Sequence, residues 1–199
     1  MSFCDPQFWL GVFTFISSLL LLWQLIVIRR QNANDHERSR RETVINLQKI
    51  WLDCCGRSPR YIKQLLKSMT SDACSKFWKG EPFSMPYSCR HLLAKLLECE
   101  ECATANEENK EIIVKDNSLV LFRKHLCDYL NLLELISTAW LDNVGDRSMI
   151  EREFGKNISG EDGNFPLDNI INCAPAFPSI KAFSNDLRRK LDATSKKPL

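Results

Sequence analysis

The chain has 199 residues, with 27 Lys plus Arg against 25 Asp plus Glu and a net charge of +2. Seven glycines and eight prolines exclude a collagen-like or low-complexity chain, and 44% apolar with 26% charged residues is an ordinary globular composition. The balanced charge excludes a nucleic-acid binder driven by electrostatics, so no nucleic-acid partner is expected, and the length suits one domain with a real core.

Residues 8–28, FWLGVFTFISSLLLLWQLIVI, are 21 positions without a charge. At 1.5 Å rise per residue they make about 31 Å of helix, the hydrocarbon thickness of a bilayer. Thr14, Ser17 and Ser18 are hydroxyl residues that bond back to the preceding turn, Gln24 lies near one end, and Trp9 stands at the other, where indole favours the interface. A signal peptide is disfavoured: residues 1–7 carry no base, the apolar run is too long, and Arg29 and Arg30 follow it instead of a small-x-small cleavage site. A transmembrane helix is therefore expected. Bases are absent before it, whereas Arg29, Arg30, Arg38, Arg40 and Arg41 follow it. Basic residues resist translocation, so residues 1–7 are expected outside and the rest in the cytoplasm. An odd count of nine cysteines with an adjacent pair, Cys54-Cys55, is a poor disulfide framework and suits a reducing compartment. The sequon Asn157-Ile158-Ser159 reads as chance on this topology.

Residues 29–43 are nearly devoid of apolar side chains and read as a polar, basic juxtamembrane stalk, either a solvated extension of the membrane helix or a flexible linker; their bases can also rest on anionic headgroups. From Val44 the pattern is helical, with Val44, Leu47, Ile50, Trp51 and Leu52 at three- and four-residue spacing up to Gly56. Ser58 and Pro59 open a second helix with Tyr61, Ile62, Leu65, Leu66 and Met69 inward, expected to pack back on the first as a hairpin. A short helix over 72–79 buries Cys74, Phe77 and Trp78 and stops at Gly80. The two prolines in 81–88 predict a loop, 88–105 a helix, and EIIVKDN (111–117) a short strand with no evident partner.

The longest helix is predicted over 117–141. Leu119, Phe122, Leu126, Leu130, Leu133, Ile136 and Trp140 form one face, and Leu121, Leu132 and Leu135 widen it, so it belongs at the centre of a bundle. Arg123, Lys124, Asp128 and Glu134 exclude it as a second span. Gly145 ends it, Asp146 caps a helix to Phe154, a Gly/Asn/Asp-rich loop covers 155–164, helices follow over 166–173 and 178–191, and 192–199 are a loose tail. The organisation is all-α: one N-terminal transmembrane helix (8–28), the stalk (29–43) and a cytoplasmic helical bundle (44–191).

Chemistry is sparse. Cys127, Asn131, Glu134 and Thr138 fall at i, i+4, i+7 and i+11 on the central helix, with Asp128 beside them. An amide and a carboxylate on a mostly buried helix need partners. They line a ligand or partner pocket around Asp128, Asn131 and Glu134, or they form an interhelical network, with Glu134 paired to an arginine such as Arg60 or Arg152. Cys99-Glu100-Glu101-Cys102 is half of a zinc site, with His91 and His125 the nearest complement, and no second C-x-x-C exists. No phosphate loop, nucleophile elbow, H-E-x-x-H or EF-hand loop is present, so neither metal nor cofactor is expected.

The segment DYLNLLELISTAWLDN, with FPSIKAFSNDLRRKL after a short helix, resembles a family of bacterial single-pass membrane proteins of unknown function whose core reads Tyr-Leu-Asn-x-x-Glu, here Tyr129, Leu130, Asn131 and Glu134. The resemblance implies an N-terminal span, a polar stalk and a helical cytoplasmic domain, without an activity. The expected role is a membrane-anchored interaction or regulatory module in the cytoplasmic membrane, with the lipid bilayer and a protein at the membrane as partners and a homo-oligomer allowed. The alternatives are a membrane-perturbing toxin or antiphage effector and an enzyme centred on Glu134 with Asp128 or His125.

Overall fold

One uninterrupted helix carries the first quarter of the chain. In the computed structural model, which describes residues 6–55, 58–98, 104–106, 110–159, 165–173 and 176–195, α1 runs from Pro6 to Cys55, 50 residues, or about 75 Å. The apolar segment passes into the stalk without a break, so the stalk is a helical extension. Ion pairs at i,i+4 hold this polar stretch helical: Glu37 with Arg41, and Arg38 with Glu42 at 2.9 Å. Thr14 and Ser18 donate their hydroxyls to the carbonyls of Leu10 and Thr14 at 2.8 Å, so these polar groups are satisfied within the helix.

The end of α1 joins a packed core. Val44, Leu47 and Cys55 are buried, and Trp51 lies 5.5 Å from the ring of Tyr129 and 5.6 Å from that of Phe154. This is the i, i+3, i+7, i+11 stripe of an amphipathic helix. Ile50 and Leu52, expected on that stripe, are 40% and 67% exposed, because they sit a quarter to a half turn away from it.

α2 (Ser58–Ser68) buries Ile62, Leu65 and Leu66, with Met69 just beyond it. It packs mainly on the helices α4 (Arg90–Leu97) and α5 (Asp116–Leu141), in place of the expected hairpin with α1. α3 (Ser71–Lys79) is capped by the Thr70 hydroxyl, which accepts from the Ala73 N–H, and ends at Gly80 with φ 76°. That left-handed turn lets the Gly80 and Glu81 N–H groups reach the Phe77 and Lys76 carbonyls at 3.1 and 2.9 Å.

The region from 81 to 114 departs most from expectation. β1 (Phe83–Pro86) and β2 (Thr104–Asn106) pair antiparallel with the two edges of β3 (Glu111–Val114). The strand expected to stand alone is thus the centre of a small sheet, and the expected loop supplies one neighbour. In register, Phe83 faces Val114 and Met85 faces Ile112, and all four are buried. The helix expected over 88–105 is shorter: after a 3₁₀ turn (Tyr87–Cys89), α4 ends where Glu98 turns left-handed (φ 52°).

α5 is the centre of the bundle and touches α1, α2, α4, α6 (Arg147–Ser159) and α8 (Pro178–Ser195). The seven apolar residues expected to face the core are all buried, together with Leu132, while Leu121 and Leu135 are 39% and 49% exposed. α6 begins where the Asp146 carboxylate accepts from the Met149 N–H at 3.1 Å, and it runs past Phe154 to include the sequon. α7 (Asp168–Asn172) packs on α3. α8 continues through Ser195, so residues 192–195 are helical, not a loose tail. Eight helices and one three-stranded sheet among the described residues make an all-α architecture with a minor β element.

The cysteines are free thiols among the described residues. Burial, then the neighbouring Cys54 and Asp128, pushes the Cys55 thiol from its ordinary value of 9.0 up to about 11, and burial, then Cys173, pushes Cys74 up to about 12. Raised values favour the neutral thiol, so the stabilisation is complete below the ordinary value and lost as pH climbs through the raised ones. At neutral pH a maleimide should modify exposed Cys54 and leave Cys74 intact until the protein is unfolded, as peptide mass mapping will read; equal rates would contradict this packing.

Candidate functional site

Asp128, Asn131 and Glu134 all stand on α5, but its neighbours divide them. α8 begins beside Glu134. The Glu134 carboxylate accepts the N–H of Ser179 through Oε1 and that of Ile180 through Oε2, both at 2.9 Å. These are among the first N–H groups of α8, which have no partner within their own helix. One turn along α5, Thr138 Oγ1 lies 2.9 Å from Ser179 Oγ. Glu134 and Thr138 therefore tie α5 to α8 as the cap of another helix. The partner of Glu134 is backbone, not Arg60 or Arg152; Arg152 pairs with Glu153 at 2.8 Å.

Asn131 lies one turn before Glu134, beyond the start of α8, and is exposed; Asp128 is exposed as well. With Val120, Lys124 and Leu135 they form an open polar and apolar stripe along α5. The sequence pattern placed Asn131 and Glu134 in one site, whereas the structure sends one to solvent and the other to α8. A general acid or base must reach a substrate proton, and both oxygens of Glu134 face α8.

A second polar junction, missed by the sequence reading, joins α5, α6 and α8. Trp140 Nε1 donates to Glu151 Oε1 at 2.9 Å, and Lys190 Nζ donates to the same oxygen at 2.7 Å. Phe183 stacks on Trp140 with centroids 4.6 Å apart. Arg147 donates to the Trp140 and Leu141 carbonyls at 2.8 Å, closing the C-terminal end of α5. The signal in sequence was the charge pattern of α6 and α8, which carries no information on who pairs with whom.

Of the basic residues after the apolar segment, Arg38 and Arg41 are paired along the helix, and Arg41 Nε also approaches Asp146 Oδ2 at 3.9 Å. Arg29, Arg30 and Arg40 are exposed. The Cys99–Cys102 pair lies outside the described residues, as does the loop 160–164. Among the described residues no group of three His, Cys, Asp or Glu side chains is placed to hold a metal ion.

No protein-family model, curated protein or solved structure matches this chain.

Proposed function

We propose that the protein is a membrane-anchored interaction module, held in the bacterial cytoplasmic membrane by residues 8–28, with residues 1–7 outside and the helical domain in the cytoplasm. The observation that carries the reading is the contrast along α1. The window of α1 long and apolar enough to cross a membrane has no buried residue, whereas the last turns of the same helix pack on α5 and α6. About 31 Å of apolar helix left uncovered has a suitable solvent in a bilayer. The bases after the span support the orientation, and the resemblance of Tyr129–Glu134 to single-pass bacterial proteins supports the architecture. Tethering raises the effective concentration of the domain toward partners in the same membrane. The engagement of Glu134 by α8 favours an interaction role over an enzyme built on that carboxylate.

Alkaline carbonate extraction tests the anchor. The wild-type chain should stay with the membrane pellet. Each Arg placed near the centre of a span costs about 2.5–3.5 kcal/mol, so changing both Leu19→Arg and Leu22→Arg should release the chain to the supernatant or lead to its degradation. A wild-type chain released by carbonate contradicts the reading.

A further inference from the structure

Where the stalk passes the α5–α6 turn there is a cleft of about 660 Å³, lined by His36, Glu37 and Arg40 from α1 and by Asn143, Asp146 and Arg147 from the turn. Its walls are fixed to one another. Asp146 donates its N–H to the Arg40 carbonyl at 3.4 Å. Arg147 is held by the two carbonyls at the end of α5, with its guanidinium carbon 5.1 Å from the Trp140 ring centroid.

The charges in this cleft are unevenly satisfied. Glu37 is paired with Arg41. Asp146 accepts from the Ser148 hydroxyl at 2.7 Å and from the Met149 N–H at 3.1 Å. Among the described residues Arg147 donates to two neutral carbonyls and lies over the Trp140 ring without an ion pair, and Arg40 and His36 have no side-chain hydrogen bond or ion pair. Engaged carboxylates beside spare guanidinium donors select an anion, and the planar fork of arginine matches phosphate oxygens.

Position narrows the source. Arg29, Ala33, His36 and Arg40 follow at i, i+4, i+7 and i+11, one helix face that starts beside the last apolar residue, Ile28. The cleft begins about 8 Å beyond Ile28 and ends about 18 Å beyond it. A headgroup layer of about 5–8 Å reaches only its lower rim, about 10 Å short of Arg40. The geometry points to a receptor for a phosphate group, with Arg40 and Arg147 as its ligands; a headgroup phosphate reaches it only through the rim, past Arg29, whereas free phosphate reaches it directly. The lipid source, unlike the phosphate chemistry, rests on the membrane-spanning reading above.

The test places the full chain in bilayer nanodiscs and follows amide exchange of residues 142–148 by mass spectrometry. Three conditions are compared: phosphatidylcholine discs, discs doped with phosphatidic acid, and phosphatidylcholine discs with inorganic phosphate. Exchange should slow about tenfold once the probe that fills the cleft, acidic lipid or inorganic phosphate, stands about ten times above its dissociation constant. The Arg40→Gln variant should lose the slowing. Arg38, two positions from both His36 and Arg40, points to the opposite side of the helix, so Arg38→Gln should keep it. Equal slowing by inorganic phosphate without acidic lipid would support the phosphate chemistry and overturn the lipid source. No slowing with either probe, or the same loss in both variants, overturns the proposal. Retention of the chain in the discs is scored separately: loss of retention sinks the membrane reading, while the inorganic phosphate arm on the released chain still decides whether the cleft binds.

Discussion

Phe77→Ala should lower the stability of the helical domain by about 3–5 kcal/mol, the cost of emptying a fully buried aromatic site. Phe77 has no exposed surface and joins three elements. Its ring lies 6.4 Å from Phe83 on β1, 5.7 Å from Phe122 on α5 and 5.1 Å from Trp78 on α3 itself. The Arg123 guanidinium carbon stands 5.8 Å from its centroid. Removing the ring withdraws dispersion contacts from all of them, and side chains fixed to a helix, a strand and another helix collapse only partly into the gap. For a chain this long the loss corresponds to about 10 °C in Tm. Phe77→Leu keeps most of the volume and should cost less than half as much. Thermal unfolding followed by circular dichroism reads both, and a Phe77→Ala protein as stable as wild type would mean that α3 and the sheet are not packed on α5 as described.

Glu134→Ala should cost about 2–3 kcal/mol, because it leaves the N–H groups of Ser179 and Ile180 without acceptors at a buried helix start. Ser179 is 7% exposed and Ile180 is fully buried, so water cannot readily replace the carboxylate. Glu134→Gln retains one acceptor oxygen and should fall between Ala and wild type. Urea unfolding reads the stabilities. Amide exchange adds the local signature: Ser179 and Ile180 should lose protection first, with α8 loosening from α5. A Glu134→Ala protein with unchanged stability and exchange would remove the cap from this account.

These two sites also show what the sequence could tell. The core face of α5 was legible because seven apolar residues, Leu119 to Trp140, recur at helical spacing through most of a 26-residue helix, a signal that no short-range accident imitates. The partner of Glu134 was not, because it is the backbone of a helix start 45 residues further on, and a backbone N–H has no identity in the sequence. Asn131 misled for a related reason: periodicity places it on the face of Glu134, but only the starting point of α8 decides which of the two is covered. The sheet escaped because its strands are three and four residues long and pair across distant segments. Pro86 fits at the exposed end of an edge strand, where its missing N–H is not needed. Residues 29–43 gave no apolar period, so their helicity rests on the i,i+4 ion pairs and on continuity with the apolar segment.

Native cysteines offer the most direct test of the proposed membrane-spanning arrangement. Cys54 is exposed near the end of α1, on the far side of the apolar segment from Cys4 in the sequence. Intact spheroplasts treated with a membrane-impermeant maleimide should carry label on Cys4 and none on Cys54, and Cys54 should react only after the membrane is permeabilised. Equal labelling of Cys54 before and after permeabilisation, or recovery of the full chain in the soluble fraction, would contradict the account.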